Sequence, residues 1–229
     1  MARNGILARK SPKRFAPIVA VVAGLLISSA GLMSAQQGRG PTTAHTKVVQ
    51  VNFHQAKTIG STSAPIMVED FADFQCPACR MFFLNTTLQV IKDYVDTGKV
   101  YLVHHDFPLD MHAHSMEAAR YANAAAEIGK FQEVETALYT TQDKWENTGR
   151  IADSLISVLT PAELNKVQSL MGKPDVQAAI DEDVALGKQR GITQTPSVYV
   201  TCKGVLHPLT PGGVPYGVLR QYFDYLLTH

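Results

Sequence analysis

Val68-Glu69-Asp70-Phe71-Ala72-Asp73-Phe74-Gln75-Cys76-Pro77-Ala78-Cys79 is the stretch that decides the fold. From Ile66 to Phe74 the chain is apolar-rich and contains neither Gly nor Pro, the pattern of a strand, and Cys76-Pro77 ends it. Beyond Pro77 the composition turns helical through about Asp96. Proline fits the first helical turn because the N–H it lacks has no partner there. Two cysteines at i and i+3 can close a disulfide across one helical turn. The first stands where unpaired N–H groups and the positive end of the helix dipole favour an anion. That anion is the Cys76 thiolate, since such settings lower a thiol pKa from about 8.5 to roughly 3.5–7.5. Cys79, one turn deeper, is expected to be shielded and to act as the resolving thiol. Stabilising the thiolate stabilises the dithiol, so the disulfide becomes a stronger oxidant.

Other chemistries suit the pair less well. A zinc site needs four ligands, and only Cys202 remains as a third sulfur. Covalent haem attachment needs a histidine after the second cysteine, where Arg80 stands. An inert structural disulfide is seldom placed at a strand-to-helix junction. A redox pair is the favoured reading, with metal and structural roles behind it.

Working outward, Lys99 to Phe107 reads as a second strand, and the βαβ order implies a parallel pair with a right-handed crossover. A helical block follows. Met116 to Ile128 is alanine-rich, and Phe131, Val134 and Leu138 recur at the spacing of one buried helix face. Thr160-Pro161-Ala162-Glu163 is a capping box, and Pro174 to Gln189 is a further helix. Ser197 to Thr201 and Val205 to Leu209, separated by Lys203-Gly204, read as a hairpin, and Val214 to Leu227 as a last helix. The order is βαβ, several helices, then ββα. This is an α/β domain over residues 65–229 with a helical insertion at about 112–190.

With 229 residues, 45% hydrophobic and 18% charged, the chain has ordinary globular composition, which excludes disorder and collagen-like repeats. Three cysteines cannot make a dense disulfide framework, and a formal net charge of +1 argues against a nucleic-acid partner. The near-neutral total conceals an asymmetry. Residues 1–68 hold eight Lys/Arg and no acid, whereas residues 69–229 hold thirteen basic against twenty acidic residues, net −7. Five of those early charges lie in residues 1–14, and Phe15 to Met33 follow as nineteen uncharged residues. In a helix they would span about 28 Å, close to the roughly 30 Å hydrocarbon core of a bilayer. Residues 1–33 are therefore read as a signal-anchor, with a transmembrane helix. A cleaved export signal stays open, because Ser28-Ser29-Ala30 and Met33-Ser34-Ala35 offer small residues near cleavage spacing. Either way the basic flank stays in the cytoplasm and the remainder is exported. The expected location is the plasma (inner) membrane, single-pass, with the domain in the periplasm or at the cell exterior. Residues 34–64 read as a linker with a candidate edge strand at Val48-Val49-Gln50-Val51-Asn52-Phe53.

Residues 68–79 resemble the active-site strand and helix of thioredoxin-fold thiol oxidases of the DsbA type, most closely the membrane-anchored BdbD-like branch. Asp106-Phe107-Pro108-Leu109 with His112 is similar to that branch's "DFPL…H" segment, and Gly191-Ile192-Thr193-Gln194-Thr195-Pro196 to its cis-proline loop. The resemblance covers about Gly60 to Leu227 and implies a thioredoxin fold with an inserted helical domain. It makes Cys76 and Cys79 catalytic and Asp70 the buried acid that relays the Cys79 proton. It also implies a cis bond at Thr195-Pro196, where, beside Pro77 and Ala78, an extended substrate would bind. The strongest oxidants of the group carry a histidine where this chain has Ala78. Its potential is then expected between about −120 and −270 mV, an interval of about 7 kcal/mol that leaves oxidase, isomerase and reductase open.

The resulting expectation is an exported thiol:disulfide oxidoreductase that introduces disulfides into secreted or envelope proteins. The rivals are an exported reductase or isomerase and a non-catalytic metal-binding or adaptor module. Its partners would be unfolded or reduced proteins and a quinone-linked membrane reoxidant of DsbB or VKOR type. No organic cofactor is implied, for neither GxGxxG nor a phosphate loop occurs. His104, His105, His112 and His114 cluster with Asp106, but neighbouring strand histidines point to opposite faces and cannot chelate together, so no metal is assigned. Cys202 reads as a small apolar strand residue or an exposed thiol by the hairpin turn, and Trp145 and Tyr139 as packing residues.

Overall fold

The computed structural model describes residues 56–229; the apolar N-terminal run and the candidate strand at 48–53 lie outside the described residues. Five strands form one mixed sheet: β1 (Thr58–Ile59), β2 (Ile66–Ala72), β3 (Val100–Asp106), β4 (Ser197–Cys202) and β5 (Val205–Pro208), in the order β1-β3-β2-β4-β5. β2 and β3 are parallel, with Ile66 opposite Val100 and Asp70 opposite His104, and the remaining pairs are antiparallel. The expected βαβ and ββα halves are both present.

Between β2 and β3, helix α1 (Pro77–Phe82) runs on through π-helical Phe83–Thr87, α-helical Leu88–Val90 and π-helical Ile91–Val95. Six helices lie between β3 and β4: α2 (Ser115–Ala126), α3 (Phe131–Thr140), α4 (Gln142–Trp145), α5 (Ile151–Leu155), α6 (Pro161–Leu170) and α7 (Pro174–Gln189). Helix α8 (Tyr216–Thr228) closes the chain. Thr160 caps α6 through the reciprocal bonds with Glu163 that the sequence pattern implies.

Period-two alternation sends the side chains of β2 to two different cores. Ile66 and Val68 pack with Val90, Tyr94, Leu219 and Phe223, whereas Phe71 packs with Phe107 and Ile192. A larger core fills the insertion. There Ala118, Ala122 and Ala125 of α2 let Val134, Leu138 and Trp145 approach closely, and the same cluster reaches Phe74, Cys76 and Cys79. Trp145 is sealed within it and donates its indole N–H to the Leu138 carbonyl at 2.9 Å, so packing is its role. On the other face α7 lies close against the sheet at Gly187, where a Cβ would come within 2.5 Å of the Phe107 ring.

Two details differ from the sequence reading. β2 stops at Ala72, because Asp73 begins a turn whose carbonyl accepts from the Cys76 N–H at 3.0 Å. The stretch assigned to linker as far as Ala64 contributes β1 and a fully buried Lys57, whose carbonyl accepts from the His104 N–H at 3.0 Å.

Candidate active site

Cys76 is the N-cap of α1, with extended φ and ψ of −72° and 122°, and Pro77 takes the first helical position. Pro77 and Ala78 face solvent, while Cys76 and Cys79 are 7% and 2% exposed, and both cysteines are free thiols. The loop before the helix is fixed from both sides. Gln142 Nε2 donates to the Phe74 and Cys76 carbonyls at 2.7 and 3.1 Å, and Gln75 Nε2 donates to the Glu146 carbonyl at 2.7 Å. Helix α4 and the turn after it therefore hold the first cysteine in place.

The bond between Thr195 and Pro196 is cis, as the resemblance implies. Cys76 Sγ approaches the Thr195 carbonyl oxygen at 3.5 Å. The Thr195 hydroxyl is buried without a hydrogen-bond partner. Once Cys76 ionises, that hydroxyl is a donor for it. The Cys76 thiol is pulled down to about 5, chiefly by the hydrogen bond from the Cys79 thiol, with help from Thr195 and from the Cys79 and Ala78 N–H groups, and against the opposing effect of burial. Burial, and then the neighbouring Cys76, push Cys79 well above the usual thiol range. The two thiols therefore differ in how readily each gives up its proton.

Asp70 lies on the face of β2 that packs toward these cysteines. The residue is half-buried, but its Oδ1 is shut away from solvent with no hydrogen-bond partner. Burial pushes its carboxyl up to about 7, with the His104 charge opposing and Glu135 and Cys76 adding to the rise.

Sequence reading missed a second carboxylate. Asp73 is 1% exposed and accepts from the Gln75 N–H, the Leu109 N–H and the Ser115 hydroxyl, with His112 Nδ1 2.7 Å away. Its own N–H points at Cys79 Sγ, 3.4 Å distant. Asp73 thus ties the cysteine turn to the segment 107–115, and His112 belongs to this brace. Also missed was an ionic network through the sheet. Lys57 Nζ donates to Asp106 Oδ2 at 2.6 Å and to Asp183 Oδ2; His105 bridges Asp183 and Glu69 at 2.6 and 3.2 Å; Arg190 closes a fork on Glu69 at 3.0 and 3.1 Å. The available signal was a run of charges, Glu69-Asp70 and His104-His105-Asp106, inside two central strands that can be buried only if paired. His104 and His105 do point to opposite faces, toward Glu135 and toward Asp183. Among the described residues no group of three or more His, Cys, Asp or Glu side chains is placed to hold a metal ion. Cys202 is buried in β4 beside α8 and takes no part in the site.

Residues 54–214 match the model of the protein family described as Thioredoxin. The chain belongs to that family. It is 24% identical over 154 residues to the disulfide bond formation protein D of Bacillus subtilis, covering 63% of this chain and 67% of that one. Two solved structures share the fold. Wolbachia pipientis alpha-DsbA1 superposes with a TM-score of 0.61 at 23% identity, covering 75% of this chain and 90% of that one. Oxidised BdbD from Bacillus subtilis gives 0.57 at 19% identity, with 76% and 93% covered. The chain is a DsbA-type thiol–disulfide oxidoreductase of thioredoxin fold with a helical insertion.

Proposed function

We propose that Cys76 and Cys79 are the exchanging pair of an exported disulfide-introducing enzyme. The observation that carries this reading is geometric: Cys76 caps α1 beside the solvent-facing Pro77 and Ala78 and 3.5 Å from the Thr195 carbonyl, while Cys79 lies buried one turn on, an arrangement that pulls the first thiol down and pushes the second up. A substrate thiolate attacks Cys76 Sγ of the Cys76–Cys79 disulfide, and the electron pair of the broken S–S bond goes to Cys79, which takes a proton. The second substrate thiolate then attacks the substrate sulfur held on Cys76, forms the substrate disulfide and releases Cys76 as its stable thiolate. In this reading Asp70, whose charge bears on Cys79, supplies the Cys79 proton, and the solvent-facing Pro77 and Ala78, with Thr195 and Pro196 across from Cys76, form the edge on which an extended reduced polypeptide lies.

The basic-then-apolar pattern of residues 1–33 supports export with membrane attachment. Among the described residues no helix is long and apolar enough to cross a membrane, and the proposed anchor, Phe15 to Met33, precedes them. Reoxidation then falls to a membrane protein, of which a quinone-linked DsbB or VKOR type is the proposed class. The test is Cys79→Ser in the full-length chain, expressed in a cell envelope. Mixed disulfides with exported proteins should accumulate on Cys76 and vanish with Cys76→Ser. A purified protein that equilibrates with glutathione near the thioredoxin potential, about −270 mV, and leaves a dithiol peptide reduced would overturn the oxidase direction in favour of a reductase.

A further inference from the structure

The β2–β4 ladder ends with Phe71 opposite Ser197, so Thr195 and Pro196 project past the sheet toward Cys76. The Ser197 hydroxyl steadies this projection from one side by donating to the Gln194 carbonyl at 2.8 Å. A loop from far along the chain holds the other side. After β5 the chain turns back through 210–214, and the N–H of Gly212 donates to the Pro196 carbonyl at 2.8 Å. The same loop touches the helix that starts at Cys76. A Cβ on Gly213 would lie 2.6 Å from Phe82 Cδ2, closer than non-bonded carbons approach, and Thr86 Oγ1 donates to the Val214 carbonyl at 3.3 Å. Phe82 and Thr86 stand about one and two turns beyond Cys79.

These contacts close a ring. It runs from Cys76 along the helix to Phe82 and Thr86, across to Gly213 and Val214, through Gly212 to Pro196 and Thr195, and back to Cys76 over the 3.5 Å gap at the Thr195 carbonyl. Every other link is covalent chain, a hydrogen bond or close packing, so the loop fixes the width of that gap. Gly212 and Gly213 have φ of +94° and +86°, where a side chain is strained, and only a residue without Cβ lets the loop lie against Phe82. A left-handed turn by itself requires no such approach: at Gly129, φ +70°, a Cβ would meet nothing within 4 Å.

We propose that Gly212 and Gly213 are positioning residues that set the approach of Thr195 to Cys76, and with it both the charge that this sulfur carries and the edge offered to a polypeptide. The proposal rests on the reading of Cys76 as the sulfur that exchanges. Thr195 is among the groups that pull the Cys76 thiol down. A methyl on Gly213 pushes the loop off Phe82, which draws the Gly212 N–H away from the Pro196 carbonyl and lets Thr195 retreat. The thiolate then loses a donor, and an extended strand lying on Thr195 loses its register with Cys76.

The test compares Gly213→Ala and Gly212→Ala with Gly129→Ala, which strains a left-handed turn after α2 and touches nothing. Two quantities are read in the full-length protein. One is the pH midpoint of Cys76 alkylation in the reduced form. The other is the rate at which the oxidised form reacts with a dithiol peptide, divided by its rate with dithiothreitol, which has no backbone to pair. In Gly213→Ala the midpoint should rise by about half a unit, or about threefold in the ionisation constant, and the rate ratio should fall about threefold or more. Gly212→Ala, strained but with room for its Cβ, should move both in the same direction. Gly129→Ala should lower stability alone. On a Thr195→Val background the loop substitutions should leave the midpoint where Thr195→Val puts it, because the donor they displace is already gone. Midpoints unmoved in the folded loop variants, moved equally by Gly129→Ala, or adding in full to the Thr195→Val shift overturn the proposal. Should Gly213→Ala fail to fold, Gly212→Ala decides. A parent protein that oxidises neither dithiol overturns the reading of the cysteine pair instead, and the alkylation midpoints still decide the role of the loop.

Discussion

The Sγ of Cys76 lies 3.5 Å from the carbonyl oxygen of Thr195, across 119 residues of chain. The contact joins the end of the first half of the fold to the start of the second, and it places the buried Thr195 hydroxyl beside the sulfur that carries charge. Thr195→Val keeps the shape and removes the donor. The Cys76 midpoint, about 5 in the parent, should then rise by about one unit, the worth of one hydrogen bond to a charged group. The pH profile of iodoacetamide alkylation reads this directly, and an unmoved profile assigns the hydroxyl no part.

The same thiol links stability to pH. Its folded value, about 5, lies below its ordinary value of 9.0. A depressed acid stabilises the folded dithiol fully above the ordinary value, and that contribution disappears as pH falls through about 5. The disulfide form has no such group. The melting temperature of the reduced protein minus that of the oxidised protein should therefore shrink steadily from pH 8 toward pH 5 in calorimetry. A difference independent of pH would contradict the ionised Cys76.

Lys57 is the cation between two buried carboxylates, Asp106 and Asp183, both held below the usual carboxylate range. Lys57→Met leaves them facing one another. The expected cost is about 3–5 kcal/mol of unfolding free energy in denaturant titration. Adding Asp106→Asn should recover part of it, because one of the stranded charges is removed. Equal stability of the single and double variants would count against the network.

Asp73→Ala removes the acceptor of the half-buried N–H groups of Gln75 and Leu109. At up to about 1–3 kcal/mol for each donor left unsatisfied the variant should be visibly less stable. Its turn also carries the N–H that faces Cys79. Faster hydrogen exchange at residues 73–79 should therefore accompany the loss, and a rigid, unperturbed turn would show that the brace lies elsewhere.

The elements were largely legible from local patterns. The strand before Cys76, the proline-started helix, the alanine-rich helix of the insertion and the Thr160 cap depend on spacing and on backbone groups a few residues away, which the sequence displays. The lysine at position 57 was not legible. It sits in a stretch whose composition is that of a linker, and only the pairing of β1 with β3 brings it beneath Asp106. Asp73 was passed over because its partners at Leu109, His112 and Ser115 are 36 to 42 residues away.

By itself the sequence determined the two sulfurs one helical turn apart, the proline that starts the helix beneath the first, and the run of ionisable residues in two strands. Those are properties of spacing and of local backbone geometry. The tertiary structure alone decided which charges neutralise which. The register of β2 against β3 sets Asp70 opposite His104, and the insertion supplies Glu135 and Asp183. Electrostatic coupling acts through a few ångströms of water-free space, and the chain order holds no record of those distances.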